Sequence, residues 1–260
     1  MSTYRVSLAM TIMMESGLAL TGPGGRGGKQ LVAQPLSTCS PPPSVISVGP
    51  GESLATPSEA ARVAKDGDII EIMAGSYPSD VAVWTQHNLT IRGVNGRAHL
   101  AVKGEHAEGK AIWVIKGNGT YIENIEFSGA TVPDGNGAGI RQEGAGLYGK
   151  ACSFHDNENG LLTGTNLASD IVIENSEFAY NGRGDGYTHN IYIGRVKSFT
   201  LRYSYSHHAR CGHNVKTRAM LNYILYNRIM DGQDGSASYA VDIPNGGISF
   251  LIGNVLQQGP

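Results

Sequence analysis

The chain is poor in cysteine, in charge and in long apolar runs, and each shortage removes a class of protein. Three cysteines, Cys39, Cys152 and Cys211, are too few for a disulfide scaffold. One pair remains open to an oxidising compartment, with Cys152 and Cys211 as the candidates; the competing reading is buried free thiols. Charged residues make up only 16% of the 260 residues and the net charge is −2, so the basic surplus expected of a nucleic-acid binder is missing. No apolar run reaches the length of a bilayer-spanning helix.

What is plentiful is glycine, at 36 residues, without the G-X-Y period of collagen. Glycine at that level points to many tight turns. A hydrophobic fraction of 40% still allows a core. Arg5 followed by the apolar stretch Val6 to Met14 reads as a weak export signal, interrupted by Glu15. Residues 22–43 are rich in Gly, Pro and Ser and read as linker. The expected organisation is therefore a leader and linker over 1–45 and one domain over 46–260. That domain would work outside the cytoplasm: secreted, periplasmic or at the cell surface.

Thr56-Pro57-Ser58-Glu59 is a helix start: Thr56 can accept from the Glu59 amide, Glu59 can reach back, and Pro57 suits the first helical position. Ala60, Ala61, Val63 and Ala64 supply a small apolar face, which predicts a helix over 57–65. The alternating strand Asp68-Ile69-Ile70-Glu71-Ile72 follows. From there the chain repeats. Short strands ending at Phe127, Phe154, Phe178, Ser206, Ile229 and Leu256 recur at roughly 25-residue intervals. A second set runs between them, centred on Ile140, Leu161, Ile191, Val215 and Val241. Short strands separated by Gly and Asn turns fit a solenoid of stacked parallel strands. The spacing is too short for a propeller, and the leucine pattern of leucine-rich repeats is absent.

Asp66-Gly67-Asp68-Ile69-Ile70-Glu71-Ile72, Gly75-Ser76-Tyr77 and Leu89-Thr90-Ile91-Arg92-Gly93 resemble the opening of right-handed β-helix proteins of the pectate-lyase-like superfamily. The resemblance covers roughly residues 50–260. It implies an all-β, right-handed parallel β-helix with a short N-terminal capping helix. It also implies a carbohydrate-active protein, since lyases, hydrolases, epimerases and non-enzymes share that architecture. The last residues, Gln257-Gln258-Gly259-Pro260, follow a rung strand with no evident cap, so a further segment is expected beyond them.

In the second strand set, period-two alternation turns the residue after each inward apolar one outward. That column reads Arg141, Leu162, Tyr192, Lys216, Asp242, and two positions on it reads Glu143, Gly164, Gly194, Arg218, Pro244. The same alternation sets Asn190 and Asn214 on the outward face. A patch of Tyr192, Lys216 and Arg218 suits an acidic polysaccharide. β-Elimination of a 4-linked uronate needs its carboxylate neutralised, a base for the α-proton and an acid for the leaving oxygen. The candidate catalytic residues are Lys216 as base, Arg218 and Tyr192 as acid. Asn190, Asn214, His208 and Arg141 are the candidate substrate-binding residues, and Asp242 is the candidate metal ligand. Asp231 and Asp234 are further calcium candidates on a loop. No cofactor other than calcium is suggested. The expected partner is an acidic polysaccharide, met by a monomer without nucleic acid or a membrane span.

Each of these residues also has a plainer reading. Outward Lys, Arg and Asp are commonly a solvated face. Asn190 and Asn214 can be ladder asparagines. His189 and His213 read as a stacked core pair, and Trp84 and Trp113 as core residues. A uronate epimerase shares the proton abstraction, and a non-catalytic carbohydrate-binding or surface-structural β-helix needs none of it.

Overall fold

The computed structural model describes residues 42–259. The expected leader, and Cys39 with it, lies almost wholly outside the described residues. The described chain winds into a parallel β-solenoid of about eight turns. The helix spans Pro57–Val63 and is the sole α-helix among the described residues. Thr56 and Glu59 form a reciprocal capping box and Pro57 opens the first turn. Of the predicted apolar face, Ala60, Ala61 and Ala64 are buried in the core at the first coils, whereas Val63 is 53% exposed on the other side of the last turn.

All strand pairs are parallel, and the strands form a fifteen-stranded and a seven-stranded sheet. The larger sheet is two stacks joined through the long strand Thr90–Ala101, whose ends pair with both. Each coil thus has three short strands. The bend between the two stacks of the larger sheet needs one left-handed residue per coil. Asn124, Ala151, Asn175, Tyr203 and Tyr226 take it, all at φ between 49° and 59°. Asparagine tolerates this region, whereas tyrosine and alanine are held there against preference by the stacking of neighbouring coils.

The core follows the predicted register. Phe127, Phe154 and Phe178 are consecutive Cα partners whose rings stack at 5.1 and 4.6 Å. Trp84 and Trp113, from the smaller sheet, are fully buried and edge to face at 5.4 Å, and Trp113 meets Phe127 of the larger sheet edge to face at 5.0 Å. Such pairs add about 0.5–1.5 kcal/mol each beyond their buried area.

Two files of polar side chains run along the solenoid inside its corners. In one, Ser176, Ser204, Asn227 and Asn254 each accept the backbone N–H of the residue one coil earlier: Cys152, Ser176, Ser204 and Asn227. In the other, Asn181 Oδ1 accepts from Asn157 Nδ2 at 3.0 Å and Asn190 Oδ1 from Asn181 Nδ2 at 2.9 Å. Asn214 Oδ1 then accepts from Asn190 Nδ2 at 2.9 Å, and Asp231 Oδ1 from Asn214 Nδ2 at 2.8 Å. All of these residues but Asn254 are buried, so satisfying one another avoids a desolvation cost of about 1–3 kcal/mol per group. Cys152 is a buried free thiol and Cys211 a partly exposed one, so the suggested disulfide is not formed.

Candidate functional site

The seven-stranded sheet carries the candidate patch. Its strands stack in the order Ala82–Trp84, Ala111–Ile115, Ala138–Gln142, Asn159–Thr163, Ile191–Ile193, His213–Thr217 and Tyr239–Asp242. Register pairs Arg141 with Leu162, Leu162 with Tyr192, Tyr192 with Lys216, and Lys216 with Asp242. The outward column is therefore the one read from the sequence.

Three of its members meet. Lys216 Nζ lies 3.3 Å from Asp242 Oδ2 and 5.5 Å from the centre of the Tyr192 ring. Arg218 donates from Nε to the Tyr192 hydroxyl at 3.1 Å and from Nη1 to Asn245 Oδ1. Of the five guanidinium N–H groups, these use two, leaving the rest for an anion. Asp242 Oδ2 is also 3.1 Å from His213 Nδ1. His213 stacks on His189 at 4.6 Å, and its backbone N–H donates to His189 Nδ1 at 3.0 Å. The stacked core pair is thus present, and its outer member touches the patch. Burial, then the neighbouring His213 and Lys216, drives the His189 pKa down to about 3, while burial and Lys216 lower that of His213. Both imidazoles are neutral at ordinary pH.

The remaining candidates separate from this group. Asn190 and Asn214 are 0% and 1% exposed, and both amides belong to the internal polar file, so the outward placement is corrected. The cause is local: both residues stand where the chain leaves a corner, and side-chain hydrogen bonds there override strand alternation. Asp231, proposed for calcium, is 1% exposed and ends that file, accepting from Asn214 Nδ2, His208 N and Ala237 N. His208 sits at a left-handed corner with φ 51°, bonded to His207 and Asp234, and makes no hydrogen bond to the patch. Arg141 shares the outward column but stands two rungs before Tyr192, beyond Leu162, with its Nε 3.8 Å from Glu143 Oε1. Gly164 separates the two groups; a Cβ built there would meet only Gln142 O, at 3.8 Å, so the surface above it is open. His213 and Asn245 were not foreseen as partners of the patch. His213 is signalled by its place on the Lys216 strand, whereas Asn245 lies on a loop outside the repeat.

Other surfaces differ in chemistry. A cleft of about 540 Å³ lies on the larger sheet, lined by Arg97, Glu177, Tyr205 and Arg228 among others. Among the described residues no helix is long and apolar enough to cross a membrane.

No protein-family model matches the sequence, and no curated protein matches it. Solved structures do. Pectin methylesterase PemA from Erwinia chrysanthemi superposes with a TM-score of 0.59 at 13% identity, covering 85% of this chain and 81% of that one. The chain shares its right-handed parallel β-helix fold. A pectin methylesterase variant in complex with a hexasaccharide gives 0.59 at 13% identity, over 82% of this chain and 80% of that one. A further pectin methylesterase–hexasaccharide complex gives 0.54 at 13% identity, over 73% and 66%. At such identities the likeness is one of fold.

Proposed function

We propose that this β-helix is an exported enzyme of acidic polysaccharides, a lyase that cleaves a 4-linked uronate by β-elimination at the Tyr192–Lys216–Arg218 patch. The observation that carries the reading is the register that stacks Tyr192, Lys216 and Asp242 on consecutive rungs, with Arg218 bonded to the Tyr192 hydroxyl. The hexasaccharide complexes of similarly folded pectin methylesterases support a polysaccharide as the partner.

The roles follow from the contacts. Arg218 keeps free N–H groups for the uronate carboxylate and withdraws charge from it, which acidifies the α-proton. Tyr192, whose oxygen already accepts from Arg218, has its own O–H hydrogen free for the leaving glycosidic oxygen. Lys216 takes the α-proton. It can do so only as the neutral amine, so Lys216 must first release its ammonium proton to solvent and part from Asp242. Asp242 with a bound calcium ion would serve the same end by occupying the carboxylate. Its neighbours fit that poorly, since His213 and Lys216 are nitrogen donors and calcium prefers oxygen.

The test is incubation with a panel of polyuronides, with and without methyl esters. A rise in ultraviolet absorbance from unsaturated uronate is the expected result. Methanol release without absorbance would make the protein an esterase, and inverted uronate stereochemistry an epimerase. Retention on a polyuronide column with no product at all would leave the second reading, a non-catalytic carbohydrate binder. That reading is favoured by one observation: Lys216 and Asp242 already neutralise each other.

A further inference from the structure

On the larger sheet, away from the candidate patch on the smaller one, three side chains converge that no part of the proposed reaction uses. His99 and Glu126 are Cα partners on adjacent rungs of the larger sheet, and His155 stands one further rung along in the neighbouring outward column. Both imidazoles aim Nε2 at one oxygen. His99 Nε2 is 3.4 Å and His155 Nε2 3.0 Å from Glu126 Oε1, and all three ligand atoms lie within 4.8 Å of one another. Ser128 Oγ is 2.7 Å from His99 Nε2.

The hydrogen bonding explains why this convergence is unusual. His155 Nδ1 is 2.9 Å from Asp156 Oδ2, and Asp156 is held in turn by Arg210 Nη2 at 2.6 Å. A carboxylate only accepts, so Nδ1 carries the proton. In the neutral ring Nε2 is then a lone pair pointing at a carboxylate oxygen. Two acceptors facing each other at 3.0 Å require a positive charge between them. Either the ring takes a second proton or a cation sits there. Ser128 can donate to His99 Nε2, which puts the lone pair of that ring at Nε2; a metal ion would take it over as the hydroxyl turns away.

We infer that His99, Glu126 and His155 form a binding site for a divalent transition-metal ion of the zinc type. Metal–nitrogen and metal–oxygen bonds of about 2.0–2.1 Å in tetrahedral geometry set ligand atoms about 3.3 Å apart. The observed 3.4 and 3.0 Å bracket that edge. Two imidazoles and one carboxylate select zinc, cobalt, nickel or copper over calcium and magnesium, which take oxygen. Asp156 is the orienting carboxylate that fixes the His155 tautomer. Three protein ligands leave a fourth position for water or a substrate oxygen. The column of His99 and Glu126 runs on through Ser153, Glu177, Tyr205 and Arg228, the last three of which line the 540 Å³ cleft.

The experiment uses tag-free full-length protein stripped with a chelator, titrated with Zn²⁺ by calorimetry and with Co²⁺ by visible absorption. One ion per chain is expected, undisplaced by excess Ca²⁺. His155→Ala and Glu126→Gln should each abolish binding, with circular dichroism confirming their fold. Asp156→Asn, which keeps a partner for Nδ1 but loses the charge, should weaken affinity about 10- to 100-fold. Lys216→Ala should bind as the wild type does, which separates this site from the proposed lyase centre. Wild-type protein that takes up no ion, or an affinity unchanged by His155→Ala and Glu126→Gln, overturns the inference.

Discussion

Lys216 Nζ and Asp242 Oδ2 stand 3.3 Å apart on adjacent rungs, and the same oxygen lies 3.1 Å from His213 Nδ1. The proposed base is therefore also the cation that pairs with Asp242. Lys216→Ala leaves Asp242 without that cation but with partial access to solvent, so the expected cost in stability is about 1–3 kcal/mol. Turnover of a polyuronide should fall by about 10²-fold or more, the share of a positioned base. Initial rates and a urea melt on the same preparation check both; an active variant, or an unfolded one, would contradict the assignment.

Tyr192→Phe isolates one hydroxyl. The ring keeps its edge contact with His189 at 5.3 Å and its place beneath Lys216. Only the oxygen that accepts from Arg218 is removed. The predicted result is a fall in kcat of about 10²- to 10⁴-fold with little change in KM. Equal kcat in the two proteins would remove Tyr192 from proton transfer.

The strand register was legible in the sequence to the residue. Phe127, Phe154, Phe178, Ser206, Ile229 and Leu256 are Cα partners in that order, because apolar alternation repeated over six coils leaves no other register. Tyr192, Lys216 and Asp242 followed from the same rule. Asn190 and Asn214 did not, because alternation describes strands and these residues serve a corner, where amide pairing decides direction. The His99–Glu126–His155 cluster was illegible for another reason. It spans two outward columns of a different sheet, and only the rotation of three side chains brings it together.

Asn190 tests the internal file. Its amide donates to His207 O at 2.8 Å and Asn214 Oδ1 at 2.9 Å and accepts from Asn181. Asn190→Ala strands several buried partners, so a loss of about 2–4 kcal/mol is expected, read as a shift in the urea midpoint. A loss below about 0.5 kcal/mol would mean that water replaces the amide.

His189 links stability to pH. It is 1% exposed, and burial, with His213 and Lys216 beside it, holds its pKa at about 3. In the unfolded chain it titrates near 6.5. Below about pH 6.5 the unfolded state therefore gains a proton that the folded state refuses until about pH 3, and stability falls with pH across that window. The contribution is about 2 kcal/mol between pH 7 and pH 5. Urea unfolding of the wild type and of His189→Gln at both pH values should differ in slope by that amount. Parallel curves would show that His189 is protonated in the fold.

Asn181 and Asn190 are joined side chain to side chain at 2.9 Å, although the segment 183–187 projects from the coil between them. The amide bond clasps the base of that excursion, so neighbouring coils meet a closed corner whatever projects from it. The tip Gly184–Tyr187 is thus a natural grafting point, with the buried Thr188 and His189 kept in place. Segments of other length can be exchanged there without disturbing the strands on either side, and a new recognition loop can be installed beside the patch on an unaltered frame.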